Sequence, residues 1–225
     1  MPAGYSIHST PAEVERAAPA TTRTIAYIDG FNLYHGLHER FGRRYLWLDL
    51  VKLVRKLRPR DNIVAVRYFT AMILDDEQAL LRQQTYVDAL HAQSGSLLDV
   101  VMGRYQAKRK RCFTCGSSWT SYEEKETDVN MAVSLVADAA SGDHDLSLIL
   151  SADSDLCPAI RAVRAIAPQL GILSVFPPGR SSFEIRSLVP GNFMLGHDKI
   201  RQSLLPDSVI DVARTVTFRR PQQWK

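Results

Sequence analysis

Acidic residues follow two short apolar segments, at the points where each segment ends. Residues 147–151 form an apolar run that is followed by Asp153 and Asp155, and residues 24–28 form another that is closed by Asp29. Such runs are typical of buried parallel strands, and the carboxyl ends of these strands open into the crevice where α/β sheets bind ligands. The sequence therefore predicts that the carboxylates of two separate strands meet at one edge of a sheet.

A further acid, Asp128, opens a predicted helix and should lie at the same edge. Converging carboxylates repel one another unless they are protonated or bridged by cations, and hard oxygen ligands select Mg²⁺ or Mn²⁺. A divalent ion there would act on a phosphodiester by lowering the pKa of a water and stabilising the leaving oxygen. Asn32, close after Asp29, adds a neutral amide that could hold a water or a phosphate oxygen.

Each of these acids has an alternative explanation as a helix cap. A carboxylate after a strand commonly accepts hydrogen bonds from the free amides of the next helical turn. Asp143 and Asp145 precede a predicted strand, so we expect them in a turn at the opposite edge of the sheet. Asp138 lies inside a predicted helix, where we expect it to be solvated.

Strands alternate with helices along most of the chain, which predicts an α/β fold with a mainly parallel, doubly wound sheet. One predicted helix follows Asp128 and places Val129, Ala132, Val133, Val136 and Ala137 on one apolar face. The predicted strands are residues 24–29, 62–72, 97–106, 146–151 and 171–176, and the other predicted helices start near residue 32 or cover 48–57, 75–93 and 156–166.

Composition sets wide limits on function. The 225 residues carry a net charge of +4 with three cysteines, which permits an anionic partner and does not suggest a disulfide framework. No apolar run is long enough to cross a bilayer, so we expect a cytoplasmic protein that does not use a membrane. The predicted organisation is a disordered tail (1–23), one domain (24–195) with a basic insertion (107–122), and a C-terminal extension (196–225).

The insertion and its flanks combine cations with aromatic rings, the combination that single-stranded RNA requires for its phosphates and bases. The alternative is a solvated charged loop without a partner. Arg161, Arg164 and Arg180 could extend a phosphate track. The residues predicted to contact nucleic acid are Arg104, Lys108, Arg109, Lys110, Arg111, Trp119 and Lys125.

Cys112 and Cys115 form a Cys-x-x-Cys-Gly turn, which supplies two of the four ligands of a zinc site. The third cysteine, Cys157, is expected inside a helix. Three explanations stay open: zinc shared between two chains of a homodimer, zinc completed by a histidine such as His197, or no metal. A redox pair is disfavoured, because the segment is not a strand-to-helix turn.

Three segments resemble the signature motifs of the NYN domain, a member of the PIN-like superfamily of metal-dependent ribonucleases, in the bacterial type with a Cys-x-x-Cys insertion. They are residues 27–34, 125–129 and 150–156. The resemblance implies a three-layer α/β/α fold and Mg²⁺- or Mn²⁺-dependent endonucleolytic hydrolysis of single-stranded or structured RNA. It implies the ligands Asp29, Asp128 and Asp153, assisted by Asp155 and Asn32. Ala152 stands where the last motif usually has glycine, which removes no ligand.

Two other functions compete with RNA hydrolysis. An RNA-binding regulatory module would keep the same residues without appreciable turnover. A phosphatase with an aspartyl nucleophile is disfavoured, because such enzymes use a second aspartate two residues after the first, and Asp29 is followed by Gly-Phe-Asn. Among the histidines, His35 and His38 lie close enough to Asn32 in sequence to be considered as proton carriers.

Overall fold

Six parallel strands form the central sheet of the computed structural model, which describes residues 21–74 and 76–225. With strands numbered in chain order, they are β1 Arg23–Asp29, β2 Asn62–Thr70, β3 Leu98–Met102, β6 Leu146–Leu150, β7 Gly171–Phe176 and β8 Asn192–Met194. Their order in the sheet is β3-β2-β1-β6-β7-β8, with every neighbouring pair parallel. Most of the predicted tail, residues 1–20, lies outside the described residues.

Helices cover both faces of the sheet and give the predicted three-layer α/β/α, PIN-like architecture. Alternation along β1 directs Ala26 and Ile28 into one core and Ile25 and Tyr27 into the other. The helices are α1 Gly30–Phe41, α2 Leu50–Leu57, α3 Glu77–Ser94, α4 Thr127–Ser141, α5 Cys157–Ile166, α6 Phe183–Leu188 and α7 His197–Arg201. The first three pack in the core of Ile28, and α4, α5 and α6 pack in the core of Tyr27.

The strand order reverses between β1 and β6, which is the topological switch point of the sheet. From β1 the chain builds outward through β2 to β3, and from β6 it builds outward through β7 to β8. Helices leaving two adjacent strands in opposite directions open a crevice at the carboxyl ends of those strands. Asp29 ends β1 and Asp153 follows β6, so both acids border this crevice.

The basic insertion is a separate β-hairpin, made of β4 Arg104–Arg111 and β5 Ser118–Lys125. The prediction of one continuous strand over residues 97–106 is therefore wrong. Strand β3 ends at Met102, and the amide of Gly103 donates to the carbonyl oxygen of Thr70 at 2.7 Å. The chain then leaves the sheet to pair with itself, which the β-branched and aromatic residues up to Gln106 did not reveal.

Helix α4 buries only part of the predicted face, because Ala132 and Val136 pack against the core and Val129 and Val133 do not. Val129 and Val133 are 62% and 61% exposed, whereas Met131 and Leu135 are buried. The helix is turned so that Asp138 faces the sheet, where it accepts hydrogen bonds from the Tyr27 hydroxyl and the Arg67 guanidinium, each at 2.8 Å. The expectation that Asp138 is solvated is wrong, because a buried phenol and a half-buried arginine require its carboxylate.

Several residues after Leu195 pack in the core of Ile28, among them Ile200, Leu205 and Val209. A second hairpin, β9 Ser208–Asp211 and β10 Val216–Arg219, lies against α3. Near the end of the chain, the Trp224 ring is buried. Its centroid lies 6.3 Å from that of the Trp47 ring and 5.8 Å from that of the Tyr86 ring. Within the described part of the chain, the helices are all too short or too polar to span a membrane.

Candidate metal centre and nucleic-acid interface

Asp29 is the buried member of the acid cluster, with 2% of its surface exposed. Its Oδ1 accepts a hydrogen bond from the Asn32 backbone amide at 2.9 Å, so it does cap α1. Its Oδ2 accepts two more, from the Asn32 side-chain amide at 2.6 Å and from the Ser151 hydroxyl at 2.8 Å. The carboxylate is therefore held in one orientation from both sides.

Ser151 links the two strand ends, a role that the sequence motif did not predict. Its O–H group donates to Asp29, and its oxygen accepts from the backbone amide of Asp153 at 3.0 Å. Asp153 in turn accepts from the amide of Asp155 at 2.9 Å and caps a single 3₁₀ turn. A serine hydroxyl often accepts a hydrogen bond from the backbone amide two residues later and so forms a local turn. A serine two residues before the acid is therefore the sequence signal that could have identified this role of Ser151.

Asp128 reaches the cluster from the first turn of α4. The turn before it depends on Glu126, which has a left-handed backbone (φ 78°) that non-glycine residues seldom adopt. The Glu126 side chain pairs with Arg104 at the base of the hairpin, and this contact helps to hold the turn. Unusual backbone conformations of this kind often occur next to functional sites.

The three carboxylates predicted as ligands meet in space. One oxygen from each of Asp29, Asp128 and Asp153 lies within 4.8 Å of the others, and no other such group of three possible ligands occurs among the described residues. Asp155 belongs to the following turn and lies outside this group, with an exposed side chain. Asn32 touches the cluster through Asp29. Capping and clustering are therefore compatible, since Asp29 and Asp153 do both.

The electrostatics of the cluster favour a cation. Burial raises the pKa of Asp29 above its usual value, hydrogen bonds from Asn32 and Ser151 oppose that shift, and the charge of Asp153 adds to it. Negative charge is thus costly here unless it is neutralised. Three carboxylates within a few ångströms supply the hard oxygen ligands that Mg²⁺ and Mn²⁺ prefer, so the residues fit either metal.

The hairpin has two faces with different chemistry, because cross-strand partners share a side of a two-stranded sheet. One face carries the partly exposed Trp119 among basic side chains, and its central acid is Glu123. The Glu123 carboxylate contacts Lys108 and lies 3.6 Å from both Lys110 and Lys125. The other face carries Arg109, Arg111 and Tyr122.

The base of the hairpin adjoins the acid cluster. The Tyr105 ring meets the Phe31 ring edge-to-face at 6.5 Å, and Phe31 precedes Asn32. The hairpin also carries six basic and two acidic side chains, a net +4 that equals the net charge of the whole chain. A cationic arm therefore starts beside the clustered carboxylates.

Cys112 and Cys115 lie at the tip of this hairpin, where Phe113 between them is fully exposed. The Cys115 sulfur lies 3.0 Å from the Ser117 hydroxyl, and this contact, aided by Cys112, lowers the pKa of Cys115 to about 7. No third histidine, cysteine or acid among the described residues completes a metal site with them. His197 is hydrogen-bonded to Tyr45 at 2.8 Å. Zinc at the cysteine pair stays a prediction.

Other predicted side chains have structural contacts. Arg180 pairs with Glu39 at 2.7 Å, and Arg164 donates to the Leu188 carbonyl at 2.7 Å. Of the two histidines considered as proton carriers, His38 stacks on the exposed ring of Tyr34, with the ring centroids 5.6 Å apart. His35 and His38 are both exposed on α1.

A cavity of about 260 Å³ borders the cluster on the side of α1 and α3. Gly30 and Phe31, which follow Asp29, line it together with Tyr68 and Tyr105. Burial raises the pKa of Tyr68 to about 12, and the nearby charge of Asp29 contributes to that shift. Gly30 has to be glycine, because a Cβ there would lie 2.6 Å from a backbone oxygen of β2.

Comparison with known proteins agrees with this architecture. A crystal structure of a protein of unknown function from Vibrio parahaemolyticus matches 84% of this chain and 99% of its own, with a TM-score of 0.57 and 15% identity. This likeness supports the fold alone. The 6-hydroxy-3-succinoylpyridine 3-monooxygenase HspA of Pseudomonas putida is 27% identical over an alignment of 177 residues that covers 64% of this chain and 56% of that protein. The match thus spans little more than half of the relative.

The family model of the NYN domain matches residues 23–187, which include both strand ends, the hairpin and the first turn of α4. The match confirms the resemblance carried by the three motifs. It supports a nuclease-like, RNA-related role. On this match and on the fold, the chain belongs to the NYN domain family.

Proposed function

We propose that this protein is a metal-dependent endoribonuclease that hydrolyses phosphodiester bonds of single-stranded or structured RNA. The observation that carries the proposal is the meeting of Asp29, Asp128 and Asp153 within 4.8 Å at the switch point of the sheet. This location is the usual ligand-binding crevice of open α/β sheets. Membership of the NYN family supports the RNA-related part of the proposal.

In this proposal the three carboxylates hold Mg²⁺ or Mn²⁺, and Asn32 and Ser151 fix the orientation of Asp29. When bound, the ion would lower the pKa of the attacking water and offset charge on the phosphate oxygens. Asp155, outside the cluster, would act through water or through its amide contact with Asp153. Because Asp29 is buried, bulk water has little access to the side of the cluster that this residue forms.

The hairpin would hold the RNA backbone in the same proposal. Its basic and aromatic face offers cations to phosphates and Trp119 to a base, the pairing that single strands use. Arg104, at the base of this face, pairs with Glu126, which lies two residues before Asp128, so a strand bound along this face would run toward the carboxylates. The net charge of the arm also favours fast, salt-dependent capture.

The test is cleavage of labelled single-stranded RNA with Mg²⁺ or Mn²⁺ by the wild type and Asp153→Asn. We expect Asp153→Asn to lose about 1,000-fold in cleavage and to keep RNA affinity, since one charge-stabilising group is typically worth 10²–10³ in rate. Asp143→Asn, at an exposed turn on the opposite edge, is the matched control. Equal cleavage by Asp153→Asn would overturn the proposal. Binding without cleavage in the wild type would favour the regulatory module.

A second candidate is an enzyme for a small heteroaromatic acid. The relative from Pseudomonas putida is named for its action on 6-hydroxy-3-succinoylpyridine, and this chain has a ring-sized cavity next to the carboxylates. The test is incubation with that compound and NADH in air, followed by mass spectrometry. Consumption of the compound that Asp153→Asn abolishes, together with inactivity on RNA, would favour this candidate over the ribonuclease.

A further inference from the structure

We propose that the cavity beside α1 and α3 receives one unstacked nucleobase of the bound strand, with the adjoining phosphate at Arg43 and Arg82. The inference rests on the proposed function, because it concerns the substrate of that site. It assigns a role to Arg43 and Arg82, which lie outside the three motifs. The cavity would then set the base preference next to the cleaved bond.

The position of the cavity supports this inference. Gly30 and Phe31 are shared between its wall and the segment that follows Asp29. Tyr105 lines it from the base of the cationic hairpin. A strand that passes from the hairpin to the carboxylates would therefore pass the mouth of the cavity.

The shape and chemistry of the wall fit a flat ring. At about 260 Å³ the cavity lies below the roughly 300–1,000 Å³ of sites for drug-sized ligands, so it has room for one ring system. Polar groups of the wall are largely occupied. The Tyr86 hydroxyl donates to the Leu48 carbonyl, and the Gln83 amide bonds to the backbone of Ala71 and Ile73. Recognition would thus rest on stacking and fit, which is how single-strand readers hold bases.

The charges at the cavity fit a phosphate. Arg43 and Arg82 both line it, and the side chain of neither has an ion-pair or hydrogen-bond partner among the described residues. A guanidinium without a partner beside an apolar wall is well suited to bind an anion in a bidentate way. A ligand with a ring and an adjoining negative group satisfies both halves of the site, and a nucleotide has this form.

The experiment measures binding of the four nucleoside 5′-monophosphates, the matching nucleosides and pyridine-3-carboxylate by calorimetry in EDTA. The variants are Ala79→Phe, which fills the cavity from a half-exposed helix position, and Arg82→Ala. Arg60→Ala, which removes an exposed arginine before β2, is the matched control. We expect at least one monophosphate to bind the wild type and Arg60→Ala equally, and about tenfold more weakly to Arg82→Ala. Ala79→Phe should abolish that binding with an unchanged Tm.

Three results would overturn the inference. They are binding of no monophosphate, equal binding by wild type and Ala79→Phe, and tighter binding of pyridine-3-carboxylate than of every nucleotide. Cleavage products separate this inference from the proposed function. If Ala79→Phe cleaves RNA at the wild-type rate and at the same bases, the cavity role fails and the ribonuclease stands. If the wild type binds a monophosphate in the cavity and cleaves no RNA, the cavity stands and the ribonuclease fails.

Discussion

The acid cluster and the basic hairpin lie side by side and are built in opposite ways. The cluster grows out of two adjacent central strands, and Asp29 is held by three hydrogen bonds. The hairpin pairs with itself, and nearly all of its β4 side chains are exposed. A two-stranded hairpin alone has marginal stability in water, whereas central parallel strands are buried on both faces.

This difference separates two tasks that a nuclease requires. Catalysis needs side chains that are fixed to within a fraction of an ångström. In the cluster, the buried strands fix the backbone positions of the acids, and the hydrogen bonds of Ser151 fix the orientation of Asp29. Capture of a flexible strand needs accessible cations and rings, which an exposed arm can adapt to different sequences.

Amide hydrogen exchange should differ most between the two regions. We expect the amides of β1 and β6 to exchange only on global unfolding, and those of β4 and β5 to exchange at least about 1,000 times faster through local opening. The measurement is native-state exchange followed by mass spectrometry of peptides covering each strand. Equal protection of the hairpin and the central strands would contradict the comparison.

Mn²⁺ should stabilise the protein through the cluster. At a hundred times its Kd, a bound ion adds about 2.7 kcal/mol, which for a chain of this size raises Tm by roughly 5–10 °C. We expect Asp153→Asn to lose most of this shift and Asp143→Asn to keep it, as measured by differential scanning calorimetry with and without the metal. A full shift in Asp153→Asn would remove this residue from the metal centre.

Removal of two hairpin lysines should weaken RNA binding without affecting the cluster. For Lys108→Ala with Lys110→Ala, we expect the slope of log K against log salt to fall by about 1.4, since each phosphate contact on a single strand contributes about 0.7. The Mn²⁺ shift should be unchanged. Glu123→Gln should have the opposite effect on RNA binding. The Glu123 carboxylate contacts both lysines, so removing its negative charge should tighten RNA binding. Weaker binding by Glu123→Gln would contradict the assignment of this face.

Alkylation should single out Cys115. The pKa of Cys115 is about 7 and is set mainly by the Ser117 hydroxyl. The fraction of Cys115 in the reactive thiolate form therefore increases as the pH rises through 7. We expect the rate of iodoacetamide labelling at Cys115 to reach half its maximum near pH 7, and Ser117→Ala to move that midpoint upward. Cys157 should react more slowly, because burial raises its pKa. The readout is peptide mass spectrometry over a pH series, and equal rates at both cysteines would contradict the prediction.

The sequence predicted the cluster because its signals are local. An apolar run followed by an acid identifies a strand end, and the parallel topology then brings such ends to one edge. The signals for the long helix α4 were also local, yet the predicted buried face was right only for Ala132 and Val136. Val129 and Val133 fit a helical period as well as Met131 and Leu135 do, and the choice depends on Asp138 meeting Tyr27 from a distant strand.

By itself, the sequence determined the α/β class, the three acids and the family, since each is encoded in contiguous residues. The tertiary structure decided which acids share a centre, and it left Asp155 outside. It also decided that the insertion is a hairpin with two unlike faces, and that Gly30, Arg43 and Arg82 border one cavity. These features depend on contacts between residues far apart in the chain, for which local periodicity and spacing carry no information.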